Sequence, residues 1–279
     1  MKKFIKLVKI ISTISAVVAG IAFLFERLDE RKNKNAEKPH KPFGVYERFI
    51  KRPLDAFLST GALIVFSPIL LVTAVLIRIK LGSPVLFTQE RPGKIDPLTG
   101  KSKIFKLYKF RTMTDEKDEN GNLLPDDVRL TSFGKKLRAS SLDELPELIN
   151  IIRGDMAVVG PRPQLVRDMV FMNDEHRRRH IVRPGLTGLA QVKGRNSITW
   201  AEKLDWDIRY IKKVSLQVDV KILFQTVVAV FKQNGITDGE NVTALDYGDY
   251  LLKVGKVSKT QYDVLQEQAK KMIKEFEKN

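Results

Sequence analysis

The chain has 279 residues, enough for one well-buried domain with appendages, and its 49 Lys and Arg against 33 Asp and Glu leave a net charge of +16, which points to anionic partners. Roughly half of that excess lies before residue 53, beside apolar sequence, where an anionic membrane surface suits it better than nucleic acid; only 8% of residues are aromatic, and none form a base-stacking platform interleaved with the basic residues. The lack of cysteine excludes disulfides and thiolate zinc sites, and His40, His176 and His180 make no metal set, the last two being flanked by Arg177, Arg178 and Arg179, which repel a cation.

Residues 5–25 follow Lys2, Lys3, Lys6 and Lys9 and are almost wholly apolar from Ile10 onward. A secretory leader starts the same way, but Phe23-Leu24-Phe25-Glu26 offers no small-residue cleavage site, so the segment is expected to remain as an anchor. A polar, proline-dotted basic linker completes a first region, 1–52. Residues 54–79 are a second apolar segment, about long enough to cross a bilayer. Lys51 and Arg52 precede it and Arg78 and Lys80 follow it, so both ends carry the charge that favours the cytoplasmic face. Ser67-Pro68 lies at its centre, where proline removes a backbone hydrogen bond and bends a helix. These features predict a re-entrant helix-break-helix that enters and leaves one leaflet. A simple kinked span is the alternative.

The region 53–232, which includes that segment, reads as one compact, membrane-associated α+β domain, mostly helical. Residues 85–87 and 104–110 are short strand candidates, and 115–127 is a polar insertion with a turn at Asn120-Gly121. Further on comes the run Ser141-Leu142-Asp143-Glu144-Leu145-Pro146-Glu147-Leu148, which sets two adjacent carboxylates within basic sequence. Leu145, Leu148, Ile149 and Ile152 recur at helical spacing, Ser141 and Glu144 fit a capping box, and Gly154 is a natural stop. Alone, this is as well explained by a capped helix start as by chemistry. Met156-Ala157-Val158-Val159 predicts a strand, and Gly160-Pro161-Arg162-Pro163 then holds one arginine stiffly between two prolines, as a fixed phosphate ligand would be held. Residues 197–213 predict a helix with Trp200, Leu204, Ile208 and Ile211 on one face and Asp207 beside it. Residues 218–231 predict an apolar helix suited either to the core or to the plane of a membrane interface. The stretch 233–279 predicts a short and a long amphipathic helix, 246–253 and 260–276, as a docking or oligomerisation appendage.

Five motifs in this order are more specific than any one of them: Phe87-Thr88-Gln89-Glu90-Arg91-Pro92-Gly93, Lys109-Phe110-Arg111-Thr112-Met113, the Asp143-Glu144 run, the Arg162 loop, and Arg183-Pro184-Gly185-Leu186-Thr187-Gly188-Leu189-Ala190-Gln191-Val192 with Gly194-Arg195-Asn196. Over roughly residues 45–232 the chain resembles the bacterial sugar transferases, monotopic polyprenyl-phosphate sugar-1-phosphate transferases that begin surface-glycan assembly. The resemblance implies transfer of a sugar-1-phosphate from a nucleotide diphosphate sugar, expected to be a UDP-sugar, to polyprenyl phosphate, with release of UMP. It implies the re-entrant helix, a bacterial inner-membrane location and a catalytic domain on the cytoplasmic face.

By the same resemblance Asp143 is the nucleophile that carries the phospho-sugar, and Glu144 deprotonates or positions the lipid phosphate. Two anions must meet at one phosphorus, so a cation clamp is needed. Lys109 and Arg162 are expected on phosphate oxygens, Arg138 near the donor, and Arg111, Pro163, Arg183 and Arg195 in the same binding set. Asp207 is expected to bind metal or orient a basic partner. Mg²⁺ is the expected remainder of the clamp, with Asp143 as its best-placed carboxylate. Expected partners are the UDP-sugar, polyprenyl phosphate and membrane lipids, with no nucleic acid; a homo-oligomer or downstream glycosyltransferases are further candidates. A basic membrane-surface adaptor without catalysis would explain the charge and the apolar segments, but not two carboxylates set among phosphate-binding loops.

Overall fold

Tyr46–Lys51 winds as π-helical turns straight into α1, Arg52–Lys80, one helix of 29 residues and about 44 Å. A computed structural model describes residues 44–96, 100–194, 198–232 and 245–278; the expected anchor at 5–25, most of the linker, and Arg195 with Asn196 lie outside the described residues. Helix α1 is long and apolar enough to cross a membrane. The expected interruption at its centre is absent: α1 runs unbroken through Pro68. The physical reason is local. Pro68 has no N–H to offer the carbonyl of Ile64, and the Ser67 hydroxyl donates to that carbonyl instead, at 2.7 Å.

The packing along α1 is uneven in a way that matters for its placement. Ala62 and Leu63 pack on one core cluster, and Leu70, Ala74, Ile77 and Leu81 pack on another. Between them every residue from Ile64 to Ile69 is exposed. Both flanks of the helix thus rest on the same domain while its centre, around Ser67-Pro68, is exposed.

After α1 comes an antiparallel hairpin, β1 (Leu86–Ile95) and β2 (Ser102–Phe110), registered from Leu86 opposite Phe110 to Pro92 opposite Ile104. Strand β1 is longer than the expected 85–87, because Arg91-Pro92-Gly93 continues the pairing rather than turning. The turn at Asn120-Gly121 forms as expected, with the Gly121 amide donating to the Asp118 carbonyl at 3.0 Å. Helix α2 (Ser132–Ala139) is capped by Thr131, and helix α3 is Glu147–Arg153. Strand β3 (Ala157–Val159) pairs in parallel with β4 (Gly185–Thr187). Between them Val166–Met169 forms the single-turn helix α4. The pairing partner β4 lies in a glycine-rich motif that shows no strand periodicity, so sequence alone does not reveal it.

Helices α5 (Leu189–Lys193), α6 (Trp200–Ile211) and α7 (Leu216–Lys232) follow. Thr199 and Glu202 form a full capping box at the start of α6. Its Leu204, Ile208 and Ile211 are buried as the spacing predicts, and Ile208 and Ile211 pack with Val159, Val182 and Ile222 of α7. Asp219 near the start of α7 accepts from Tyr46 at 2.9 Å and from Tyr210 at 2.8 Å, and also pairs with Lys51. This buried cluster ties the root of α1 to α6 and α7. The far side of α7 presents Val220, Phe224 and Val227 to solvent, the exposed apolar face expected of a helix lying in an interface plane.

Helices α8 (Tyr247–Lys253) and α9 (Lys259–Lys278) lie close to the expected 246–253 and 260–276. Ala269 of α9 is buried with Val166, Met169 and Val170, and Leu265, Met272, Ile273 and Phe276 pack around them. The buried Asp168 carboxylate accepts from the amides of Tyr247 and Gly248, at 2.8 and 3.4 Å. A Cβ on Gly248 would strike the Phe171 ring, so the close approach there requires glycine. The inner face of the C-terminal pair is thereby occupied by its own domain. The structure is mostly helical with two small sheets, as the α+β reading expects.

Candidate active site

The two adjacent carboxylates stand on a short 3₁₀ turn, Leu142–Glu144, ahead of α3 rather than in its first turn. Ser141 makes no side-chain cap, so the expected capping box does not form, because the Glu144 side chain is engaged elsewhere. Ser141 instead adopts φ 56°, the one positive-φ position outside glycine among the described residues. That conformation costs on the order of 1–2 kcal/mol in an L-residue, and such strain collects at functional sites. Of the expected Leu145, Leu148, Ile149 and Ile152, Leu148 is buried and Leu145 packs against its cluster, while Asn150 and Ile151 take the deepest positions in place of Ile149 and Ile152. Asn150 pins α3 to β2 by accepting from the Tyr108 amide at 3.0 Å and donating to the Lys106 carbonyl at 2.7 Å. Gly154 ends the helix as expected, at φ 93°.

Lys109, at the end of β2, points its ammonium at this turn. It lies 2.9 Å from Glu144 Oε1 and 3.2 Å from Glu147 Oε1. Arg162 reaches the same Glu144 oxygen from the other side at 2.7 Å. Burial would raise the Glu144 carboxyl, but the charges of Arg162 and Lys109 outweigh it and hold the group well below the usual carboxylate range. Asp143 is held the opposite way. Only 8% of it is exposed, and burial together with the Glu144 charge raises its pKa to about 6, against the pull of Lys109, Arg138 and Arg162. Among the described residues no ion pair closes on the Asp143 carboxylate, so it lies within the field of three cations while remaining free to react. Two neighbouring carboxylates are therefore driven apart in acidity.

The loop carrying Arg162 is built by glycines. The Gly160 amide donates to Thr187 and the Gly185 amide to Pro161, both at 2.9 Å. A Cβ on Gly185 would overlap the Gly160 nitrogen, and one on Gly188 would overlap the Gly160 carbonyl. The two motifs, 160–163 and 183–188, are thus one structure in which bare backbones touch. Arg179 fixes the loop from behind: its Nη2 donates to the Arg162 carbonyl at 2.6 Å and to Asp207 Oδ2 at 2.7 Å, and its Nε donates to the same oxygen at 3.0 Å. Asp207 and Arg179 are each 2% exposed. Burial raises the Asp207 carboxyl despite the facing guanidinium.

The structure thus gathers Asp143, Glu144, Lys109 and Arg162 into one cluster, with Arg138 near Asp143 and bonded through Nε to Thr112 at 3.1 Å. Pro163 lies beside the cluster, its carbonyl accepting from Arg91 at 3.3 Å. Asp207 acts on it through Arg179. Arg111 and Arg183 are placed differently. Arg111 donates to the carbonyls of Met113 and Ser83 and pairs with Asp115 at 2.6 Å, while Arg183 donates to the Gly154 carbonyl at 2.9 Å. Two participants were hidden in the sequence. Glu147, nearly fully buried, shares Lys109; burial and the Glu144 charge push its pKa to about 7 against that lysine's pull. Arg179 sits in the run Arg177-Arg178-Arg179, where nothing in the sequence sets it apart from its neighbours.

The bacterial sugar transferase family profile matches residues 46–233. An uncharacterized sugar transferase, EpsL of Bacillus subtilis, is 47% identical over 195 residues, covering 70% of this chain and 94% of that protein. A UDP-N-acetylgalactosamine-undecaprenyl-phosphate N-acetylgalactosaminephosphotransferase of Aeromonas hydrophila is 38% identical over 191 residues, covering 64% of this chain and 43% of that protein. A UDP-glucose:undecaprenyl-phosphate glucose-1-phosphate transferase of Escherichia coli is 36% identical over 200 residues, covering 67% and 41%. This chain therefore spans less than half the length of the last two relatives.

Proposed function

The chain belongs to the bacterial sugar transferase family, and on that premise we propose that it transfers a sugar-1-phosphate from a UDP-sugar to polyprenyl phosphate, as the first membrane step of surface-glycan assembly. The observation that carries this reading is the pairing of a free, desolvated Asp143 with an ionised Glu144 inside a cluster of cations. An Asp143 oxygen attacks the β-phosphorus of the donor; the bond to the bridging oxygen breaks and UMP departs, leaving the phospho-sugar on the carboxylate. A phosphate oxygen of the lipid then attacks the same phosphorus and displaces Asp143. Lys109 and Arg162 lend positive charge to the phosphates, and Glu144 orients the incoming lipid phosphate and accepts its proton where it carries one.

Magnesium fits this donor set. The ion needs only one or two protein carboxylates when substrate phosphates supply the other oxygens, and Asp143 offers one that no described cation closes off. No cage of three ligating side chains exists among the described residues. Asp143 would be the protein ligand, and the ion would neutralise charge on the two phosphates.

The test is purified protein in nanodiscs with a panel of UDP-sugars, polyprenyl phosphate and Mg²⁺. With the right donor alone, about one equivalent of UMP per enzyme is expected before any lipid is added, as a covalent intermediate requires. If UMP appears only when both substrates are present, even in a single turnover, transfer is direct and the Asp143 intermediate is wrong.

We propose the membrane placement from the features of α1. Both flanks of the helix pack on the catalytic domain, residues 64–69 between them are exposed, and basic residues bracket it; these features support an α1 that bends at Pro68 within the cytoplasmic leaflet without losing its helical hydrogen bonding. The outward face of α7 would lie in the same plane. Single cysteines at Arg48 and Ser83 of this cysteine-free chain are expected to be both protected from an impermeant reagent in intact cells. Labelling of one while the other stays protected would establish a crossing.

A further inference from the structure

A cavity of about 160 Å³ opens beside Glu144, between the 3₁₀ turn, β4, α5 and α7. Leu145, Leu186, Val192 and Ala229 form its apolar walls. Two of its hydroxyls are engaged: Thr187 and Thr226 bond each other at 2.6 Å, and Thr226 also donates to the Ile222 carbonyl at 2.8 Å; Ser141, at the rim, makes no side-chain cap bond. The Gln191 amide nitrogen donates to the Leu186 carbonyl at 3.2 Å, while its buried Oε1 has no partner among the described residues. The Gln191 oxygen, with Ser141 and Glu144 at the rim, offers fewer partners than the several hydrogen bonds to water that a hydroxylated ring or a pyrimidine gives up on entering. The volume is close to that of the roughly 150 Å³ apolar cavity known to take up benzene.

Resting on the function proposed above, we propose that this cavity holds the first isoprene unit of the polyprenyl phosphate, with the attached phosphate at Lys109 and Arg162. Of the substrates in that reading, only the lipid joins an apolar segment directly to a phosphate. The cavity has the matching layout, an apolar slot whose rim is the carboxylate shared by those two cations. Helix α7 walls the slot with Thr226 and Ala229 and carries Val220, Phe224 and Val227 as an exposed apolar stripe on its opposite face.

Dimethylallyl phosphate, one isoprene unit on a phosphate, is the fragment that tests this, with inorganic phosphate as its control. Binding is measured by calorimetry on the wild-type protein in nanodiscs, without turnover, so the result stands whether or not any UDP-sugar yields UMP. Dimethylallyl phosphate is expected to bind at least about tenfold tighter than inorganic phosphate, as burial of a few carbons supplies. It is also expected to compete with polyprenyl phosphate and not with the UDP-sugar. Ala229→Phe, which fills the slot, should abolish the advantage over inorganic phosphate; Ala229→Val is the milder change if the larger ring unfolds the protein. Equal binding of the two phosphates would overturn the proposal. Competition with the UDP-sugar would overturn it too, and assign the slot to the donor.

Discussion

Replacing Asp143 with asparagine is expected to reduce sugar-phosphate transfer by on the order of 10³-fold or more, because an amide cannot form the acyl-phosphate link. The structure sharpens this beyond a loss of activity. Burial and the neighbouring Glu144 charge raise Asp143 to about 6 from a reference near 3.8, so folding favours its neutral form. The sign follows: the stability tied to this group is fully present below about pH 4 and is lost as pH rises through about 6. At neutral pH the ionised carboxylate is a burden on the fold, and Asp143→Asn removes it. The variant should therefore melt no lower than wild type at pH 7–8 while failing to release UMP from donor alone. Wild-type turnover should fall as pH drops through about 6, as the nucleophile is protonated. An Asp143→Asn protein that still gives a wild-type burst of UMP would reduce Asp143 to a turn residue.

What the sequence made legible here, and what it hid, divides along physical lines. Local signals held where the chain's own neighbours decide the outcome: Gly154 ends α3, and the spacing of Leu204, Ile208 and Ile211 marks a buried face. The capping box at Ser141 failed because Glu144 has stronger partners, 35 residues upstream and 18 downstream. A spacing rule cannot weigh such partners. The break expected in α1 failed for a local reason, the Ser67 hydroxyl restoring what Pro68 removes. The basic residues of the motifs looked alike in sequence, yet Lys109 and Arg162 meet the carboxylates while Arg111 and Arg183 brace loops. Only tertiary contacts separate those two uses. Strand β4 was hidden because its glycines are there for close backbone approach, not for a pleated face.

Asp207→Ala should be the most damaging change to the fold. Asp207 and Arg179 are buried together, and removing the acid leaves a guanidinium in the interior without its counter-charge, which typically costs about 3–5 kcal/mol. For a domain of this size that lowers the melting temperature by roughly ten degrees. Activity should suffer even well below that temperature, because Arg179 also holds the Arg162 carbonyl, and Arg162 holds Glu144. The double variant Asp207→Ala with Arg179→Met separates the two effects. Replacing both charges with apolar groups should recover most of the lost stability, since a buried pair is often no more stabilising than well-packed carbon. It should not recover transfer, because the Arg162 loop has lost its anchor. If Asp207 instead served as a metal ligand, Asp207→Asn would shift the magnesium requirement while leaving the melting temperature nearly unchanged. A lowered melting temperature at unaltered magnesium dependence is the outcome expected of a positioning residue, with the chain of contacts running from Asp207 through Arg179 and Arg162 to Glu144.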